Sequence, residues 1–467
     1  MSGLISDILR NAQSLNLHGR AVETAGHNLA NQNDPAFARQ RLAPKEASTI
    51  YTTFGLQPGG VNSWGREHAR SYILDKQIVK GQSDVAYAEA QRDIRENLQI
   101  ALGEEIDRQS STASLDTIPD SDTVEGSLSR AIDEFFNAFQ ELSASPDDSA
   151  AKEGLFQKAE ILTTRFNLVD ERVEQVRGNL QEKVTDDISK VENLLDKITE
   201  FNSEIFKLEY KKKGLAVELR DERQKAIEEL AELISIEMVQ LNDSLMGVSA
   251  KTDAGDNVVL IDASGKVGSL INEDGQLAFD PSRGSIAGLL DSETAIDKLK
   301  NDNIDLLAAQ LVKSVNEVYN DGTVGDFFDA TTNTAGGLKL DTALTAETIR
   351  STHTTFSGAN DVALNISELA DKPFSKTNED LIEGTFGEFI ASTAARVGQD
   401  LRTADADFDL HQLTENRIIQ DRQELGSVNV DEEVTDLMRY QRSFQATSKV
   451  IGVLDQLLET VVTSLVR

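Results

Sequence analysis

Apolar residues recur every seven positions near both ends of the chain. Towards the N-terminus the row is Met1, Ile8, Leu15, Val22 and Leu29, with Ile5, Ala12, Gly19 and Gly26 interleaved at steps of three and four. Towards the C-terminus it is Leu437, Phe444, Ile451, Leu458 and Leu465, with Tyr440, Thr447, Leu454 and Val461 between. This is the heptad pattern of helices that meet along a seam. A helix cannot bury such a stripe alone. Two of them in one chain predict a coiled-coil stalk in which the terminal helices pair and then pack against neighbouring subunits. The plainer alternative is two ordinary bundle helices of one globular domain.

Between these ends the pattern is mostly helical. The first helix is predicted over Ser2 to Ala30 and stops before Pro35, because proline holds the residue ahead of it out of the helical region. Its seam glycines and its Asn, Gln and His residues leave it a modest propensity, so packing must stabilise it. Residues 36–75 hold Pro44, Pro58, Gly59 and Gly60 and read as irregular or short-stranded. Helical spacing runs from Ile78 to Leu102. After a polar loop, Leu128, Ile132, Phe135, Phe136, Phe139 and Leu142 form an amphipathic helix closed by Pro146. The sequence has no proline between Pro146 and Pro281, and apolar spacing continues from Leu155 to Leu208. One helix over Ser149 to Glu209 would be roughly 90 Å long, a length typical of bundles and coiled coils. A second helix can fold back after Lys211, Lys212, Lys213 and Gly214. Residues 246–283 read as short strands and turns. Helix returns at 286–319 and 378–425, around a turn-rich stretch at 320–376.

The expected fold is therefore mainly α, with a coiled-coil stalk made by the two ends, a long helical bundle as body, and small β or irregular inserts. The segments are an N-terminal coiled-coil helix and motif (1–42), helical body (43–245), a β-rich insert (246–283), helical body (284–322), an irregular or β insert (323–377), helical body (378–427) and a C-terminal coiled-coil helix (428–467).

The 467 residues allow two to four domains. The net charge of −34 lies almost wholly between the ends. Residues 1–45 hold five basic and three acidic residues, and residues 427–467 hold four and six. An acidic body disfavours nucleic acid and anionic lipid surfaces; a solvated acidic face is the plain alternative. There is no cysteine, which removes disulfides and thiolate chemistry. No apolar run reaches the ~18 residues of a membrane span. Asp7, Arg10, Asn11 and Gln13 interrupt any signal-peptide layout, so the expectation is a cytoplasmic chain or one exported without a cleaved signal.

Catalytic constellations are missing. The sequence has no H-E-x-x-H, Walker A or G-x-S-x-G pattern. His18, His27, His68, His353 and His411 lack metal-ligand spacing. Asp253, Asp256 and Asp262 do not match a calcium loop. Trp64 reads as a packing anchor, and Lys211 to Lys213 as a solvated hairpin tip. No catalytic, cofactor or metal residue is assigned.

Two segments resemble one family. Residues 27–40, HNLANQNDPAFARQ, are similar to the motif that follows the first helix in bacterial flagellar axial proteins (rod, hook and hook-associated). Asn28, Asn31, Pro35, Phe37, Arg39 and Gln40 match, while His27 and Ala36 stand where the family usually has Asn and Gly. Residues 427–449, SVNVDEEVTDLMRYQRSFQATSK, resemble the C-terminal signature of the same family through Val428, Asn429, Asp431, Glu432, Glu433, Leu437, Tyr440, Gln441, Phe444 and Ala446. The middle, with FFNAFQELSASPDD (135–148), LRDERQKAIEELAELI (219–234) and GSIAGLLDSETAI (284–296), looks like the hook-associated members rather than the mainly β hook protein.

The resemblance implies a non-enzymatic structural protein of the bacterial flagellum, outside the cell, at the junction of hook and filament. It implies export through the flagellar apparatus without a cleaved signal peptide. The expected partners are further copies in a helical or tubular assembly, hook protein, a second hook–filament junction protein and an export chaperone, with no nucleic acid and no membrane insertion. The expected assembly residues are Ile5, Ile8, Leu15, Val22, Leu29, Asn28, Asn31, Pro35, Phe37, Arg39, Leu437, Tyr440, Phe444, Ile451, Leu454, Leu458, Val461 and Leu465. A hook or distal-rod protein is the alternative in the same class. A surface adhesin or enzyme with its activity in 246–283 or 323–377 is the alternative in another. The physical expectation is coupled folding, since each Leu or Ile fully buried by a neighbour contributes ~1.5–3 kcal/mol and the ends order only when that surface arrives.

Overall fold

A computed structural model describes residues 2–32, 37–46, 49–52, 55–57, 59, 61–103, 127–210, 214–242, 244–268, 271–272, 276–320, 322, 325–354, 356, 358–426 and 428–465. Met1, Pro35, Ala36 and Lys211 to Lys213 lie outside that set, as do the side chains of Trp64 and Leu465. The fold is mainly α, as expected. In chain order the helices are α1 (Ser2–Ala30), α2 (Tyr72–Leu102), α3 (Leu128–Ala144), α4 (Ser149–Glu209), α5 (Val217–Leu233), α6 (Ser285–Leu299), α7 (Leu306–Tyr319), α8 (Asp361–Ser367), α9 (Phe386–Gly426) and α10 (Val430–Leu465). The strands are β1 (Gln40–Glu46), β2 (Ile50–Thr52), β3 (Gly55–Gln57), β4 (Val61–His68), β5 (Ile236–Gln240), β6 (Met246–Lys251), β7 (Asn257–Asp262) and β8 (Gly265–Lys266). A π-helical turn, Lys300–Asp305, joins α6 to α7.

Two compact units draw on separated parts of the chain. The first gathers 1–86, 187–284 and 410–467; the second gathers 87–186 and 285–409. The helices α2, α4 and α9 contribute residues to both.

In the first unit α1 packs along α10. The ribbon β1–β4 is antiparallel, with Gln40 opposite His68 and a bulge between Leu42 and Pro44. The strands β5 to β8 form an antiparallel meander. Its inner residues Met238, Val248, Ala250, Leu260 and Ile261 are buried. A polar clamp holds the meander to α4: Asn202 Nδ2 donates to the Met246 carbonyl (2.8 Å), and Arg223 Nη1 donates to Asn202 Oδ1 (2.7 Å) and the Ser244 carbonyl (2.8 Å). Burial pushes the Arg223 guanidinium down to about 10, so it remains a cation at neutral pH. The α4–α5 turn is closed by the buried Glu209 carboxylate, which accepts from the Gly214 and Ala216 N–H groups at 3.1 and 3.2 Å and pairs with Arg220. Gly214 has φ +74°, and a Cβ there would sit 2.5 Å from the Arg66 carbonyl oxygen, so only glycine fits.

The second unit is built on aromatic packing. Ser127 caps α3 by accepting from the Arg130 N–H, and Pro146 follows its end. The buried stripe of α3 carries Phe135, Phe136 and Phe139. Phe135 and Phe139 lie edge to face at 5.1 Å, and Phe135 meets Phe327 at 5.7 Å. Tyr319 at the end of α7 adds a further edge contact with Phe327 at 5.2 Å. Asn316 secures this corner: its Nδ2 donates to the Phe328 carbonyl at 2.8 Å, and its Oδ1 accepts from the Phe327 and Phe328 N–H groups at 3.0 and 2.9 Å. Phe327 and Phe328 belong to the segment read from sequence as an irregular insert. They are fully buried, as are Ile349, Val362, Ile366 and Phe374. The segment completes the hydrophobic core instead of hanging from it. Its turn-rich sequence masked this, because burial there has no regular period.

The GSIAG stretch has a geometric cause. Gly284 has φ +93° and lies 2.5 Å, at the Cβ position, from the Leu233 carbonyl oxygen. Within the second unit, Gly288 lets α6 approach the Tyr87 carbonyl oxygen, 2.5 Å from where a Cβ would be. Gly288→Val is therefore expected to destabilise this unit by roughly 1–3 kcal/mol through overpacking. An unchanged melting temperature would show that the backbones can part without cost.

Candidate assembly site

The two helices predicted to share a seam do share one, within a single chain. Asn28 meets Glu433 and Gly19 meets Phe444, so α1 and α10 run antiparallel. On α1, Ile8, Leu15, Val22 and Leu29 are half-buried, and Ala21, Thr24, Ala25 and Asn28 are buried. On α10, Leu437, Tyr440, Thr447, Ile451, Leu454, Leu458 and Val461 are half-buried. Phe444 is 40% exposed, but its ring lies over Gly19, 3.6 Å from the position a Cβ would take.

The interleaved row on α1 holds at Gly19, which faces Phe444, and departs from the sequence reading towards the N-terminus. Ile5 is 49% exposed and Ala12 is exposed; the row that turns inward is Leu4, Asn11, His18 and Ala25. Steps of three and of four from Ile8 both satisfy a helix face, and the apolar character of Ile5 favoured the wrong one. Ile5 falls instead on an outer stripe with Leu9, Ala12, Asn16 and Arg20. The outer side of α10 likewise exposes Val434, Met438, Val450, Val453 and Leu457. Beyond the face against its partner, α10 thus has a second apolar face towards solvent, and α1 has a shorter one at Ile5, Leu9 and Ala12.

The N-terminal and C-terminal motifs meet at the base of this pair. Asn28, 1% exposed, points from the last turn of α1. Its Oδ1 accepts from the Gln40 N–H at 3.0 Å, and its Nδ2 donates to the Gln40 carbonyl (2.9 Å) and to Glu433 Oε2 (3.0 Å). Arg39 Nε donates to Glu433 Oε1 at 2.6 Å, and Arg39 Nη1 to Glu432 Oε2 at 2.8 Å. Both oxygens of the buried Glu433 carboxylate are engaged, one by Asn28 and the other by Arg39. Burial pulls the Arg39 pKa down, but the hydrogen bond to Glu432 and the charge of Glu433 outweigh it and hold the guanidinium above its ordinary range. The backbone joins the clasp: the Arg39 N–H donates to the Gly426 carbonyl at 3.1 Å, and the Ala69 N–H to the Arg39 carbonyl at 2.9 Å.

Local sequence explains the supports. Asn429 caps α10 by accepting from the Asp431 and Glu432 N–H groups at 3.0 and 3.3 Å. Three acidic residues in that first turn complement the helix dipole. Asn31 donates to the His27 carbonyl at 3.0 Å, closing the end of α1, and the Phe37 ring lies 5.6 Å from the His27 ring. Glu433, Glu432 and Asn429 were quoted in the C-terminal signature but not placed among the expected assembly residues. The available signal was a carboxylate pair beside an otherwise apolar heptad, matched by one arginine in the other motif. Among the described residues no group of three or more His, Asp or Glu is placed to hold a metal ion. No described helix is long and apolar enough to cross a membrane.

Residues 112–336 match the model of the flagellar hook-associated protein FlgK helical domain, and residues 420–465 match the flagellar basal body rod FlgEFG protein C-terminal model. Flagellar hook-associated protein 1 of Bacillus subtilis is 22% identical over 515 aligned positions, covering 97% of both chains. The Escherichia coli protein of that name is 22% identical over 236 positions, covering 50% of this chain and 40% of its own. A solved structure of the flagellar hook junction protein FlgK from Burkholderia pseudomallei aligns over 54% of this chain and 46% of that one, at TM-score 0.41 and 17% identity. With one matched module over the helical body, another over α10 and the end of α9, and end-to-end alignment to the Bacillus protein, the chain belongs to the flagellar hook-associated protein 1 family.

Proposed function

We propose that this chain is the structural subunit joining hook to filament. Its terminal helices form an antiparallel pair whose outer apolar faces pack against neighbouring axial subunits. The observation that carries the reading is the doubled apolar character of α1 and α10: one face of each is used within the chain, and the other, with Leu9 at 61% and Val453 at 56% exposure, is left for a neighbour. Unsatisfied surface of this kind marks an interaction site.

The partners follow as parts of the same proposal: further copies of the chain, hook protein on one side, a second junction protein on the other, and an export chaperone that holds α10 before assembly. Export without a cleaved signal belongs to it too. The seam residues Ile8, Leu15, Val22, Leu29, Leu437, Tyr440, Ile451, Leu454, Leu458 and Val461 set the stalk, and Asn28 and Arg39 lock its base. Ile5 and Phe444 act at its surface. Leu465 continues the heptad in sequence.

Electron microscopy of cells lacking the gene tests the proposal, with hooks lacking filaments and flagellin lost to the medium as the expected result. Filaments of normal number would refute it. Ile451→Asp or Leu458→Asp should abolish attachment to hooks while the second unit stays folded, because a carboxylate on the seam must desolvate without a partner. Variants that still cap hooks and support filaments would remove the seam from the mechanism.

A further inference from the structure

One cavity of the first unit is rich in cations, although the chain carries a net charge of −34. It measures about 470 Å³ and lies where the end of β4, the start of α2 and the start of α5 meet. Arg66, Arg70, Arg220 and Arg223 all reach its wall. Three of them have carboxylate partners. Arg66 Nη1 lies 2.7 Å from Glu218 Oε1, Arg70 Nη2 lies 3.5 Å from Asp221 Oδ1, and Arg220 pairs with Glu209. Arg223 makes no ion pair among the described residues. It is 5% exposed, and its bonds go to neutral groups, the Asn202 side chain and the Ser244 carbonyl. A buried cation without a counter-ion is costly unless a bound anion supplies the charge.

The backbone adds to the same field. Tyr72 and Val217, the first residues of α2 and α5, are both on the cavity wall. Ala216, just ahead of α5, provides no side-chain cap. The opening N–H groups of that helix therefore keep their partial positive charge for an anion.

Asp75 gives the cavity its selectivity. It also lines the wall and is 5% exposed. Its Oδ2 sits 3.9 Å from Arg70 Nε, while its Oδ1 has no hydrogen-bond partner among the described residues. Burial holds the Asp75 carboxyl above its ordinary range, against the opposing charge of Arg70. A buried acceptor left open beside guanidiniums fits an anion that still carries a proton to donate.

We propose that this cavity binds a phosphate group, with Arg223 and the N-terminus of α5 facing its charged oxygens and Asp75 Oδ1 accepting the proton of its P–OH. Sulfate has a similar shape but no proton to give at neutral pH, so the fixed carboxylate repels it and the site discriminates. The phosphate is either the free ion or a monoester on a larger molecule, since the cavity falls within the size range of small-molecule sites. Binding requires only the folded chain, not its assembly, and so stands apart from the junction role.

Equilibrium dialysis of the full chain against labelled inorganic phosphate, sulfate and glycerol 1-phosphate, at fixed ionic strength, tests the site. Wild-type chain should take up phosphate and hold sulfate roughly tenfold or more weakly, the worth of one charge-assisted hydrogen bond. Tighter uptake of glycerol 1-phosphate than of the inorganic ion identifies an ester as the source, and the reverse identifies the free ion. Saturating phosphate should also raise the melting temperature of the first unit by roughly 5 °C. Arg223→Gln should abolish uptake. Asp75→Asn should bring sulfate to within about threefold of phosphate, because an amide can donate where a carboxylate cannot. No phosphate uptake by the wild-type chain, equal uptake of sulfate, or undiminished uptake by a folded Arg223→Gln chain overturns the site. If Arg223→Gln does not fold, Asp75→Asn decides: an unchanged preference for phosphate over sulfate overturns the proposal.

Discussion

A Glu433→Ala chain is expected to lose roughly 3–5 kcal/mol at the base of the stalk. The substitution leaves Arg39 and Asn28 facing each other with no carboxylate between them, and Asn28 is almost wholly shielded from water. Arg39 keeps only the exposed Glu432 carboxylate, which water screens, and the buried Asn28 amide loses its acceptor, so the helices should separate before these groups stay buried. Hydrogen exchange along α1 and α10 should rise sharply while the amides of α3 and α7 keep their protection. Motility should be lost with it. Glu432→Ala should have a far smaller effect, about 0–1 kcal/mol, because that carboxylate is 60% exposed and water replaces its bond to Arg39. Native-like exchange at α1 and α10 in the Glu433→Ala chain would mean that the apolar seam alone holds the stalk.

The second large effect belongs to the other unit. Phe135→Ala should cost roughly 3–5 kcal/mol, the range for emptying a buried phenylalanine site. Phe135 is fully buried and touches four rings: Phe136, Phe139, Phe327 and Phe328. The cavity would lie between an α3 stripe and a segment with little regular structure, so the collapse that softens such losses would have to move the Phe327 and Phe328 backbone away from Asn316. Calorimetry should show the melting of this unit lowered by roughly 10 °C. Phe135→Leu, which fills most of the space, should lower it less. A loss below about 1 kcal/mol for the alanine variant would show that the aromatic corner repacks freely, contrary to the dense packing of protein cores.

These variants separate what could be read from the chain from what could not. The stripe of α3, the helix stop near Pro146 and the unbroken length of α4 followed from periodicity and proline placement, and the structure has them close to the expected positions. Both terminal helices and most of their inner rows were likewise legible. Three things were not. The inward row of α1 passes through Leu4, Asn11, His18 and Ala25, three of which are weakly apolar or polar, so the hydrophobic pattern pointed to Ile5. The buried segment around Phe327 carries no period because it crosses the core as turns and short helical pieces. The clasp was split between two motifs 405 residues apart, and nothing local in either names the other.

From the order of residues alone came the length and amphipathic faces of the long helices, the emptiness of the chain in catalytic patterns, and the heptad stripe at each end. All of these depend on neighbours within a turn or two, where rise per residue and side-chain direction are set by the backbone. Tertiary structure decided which of two permissible rows faces inward, that Glu433 receives both Asn28 and Arg39, and that separated stretches of chain gather into two units. Those outcomes turn on contacts between positions hundreds of residues apart, where burial and the need to satisfy each buried polar group choose among arrangements that local pattern leaves equal.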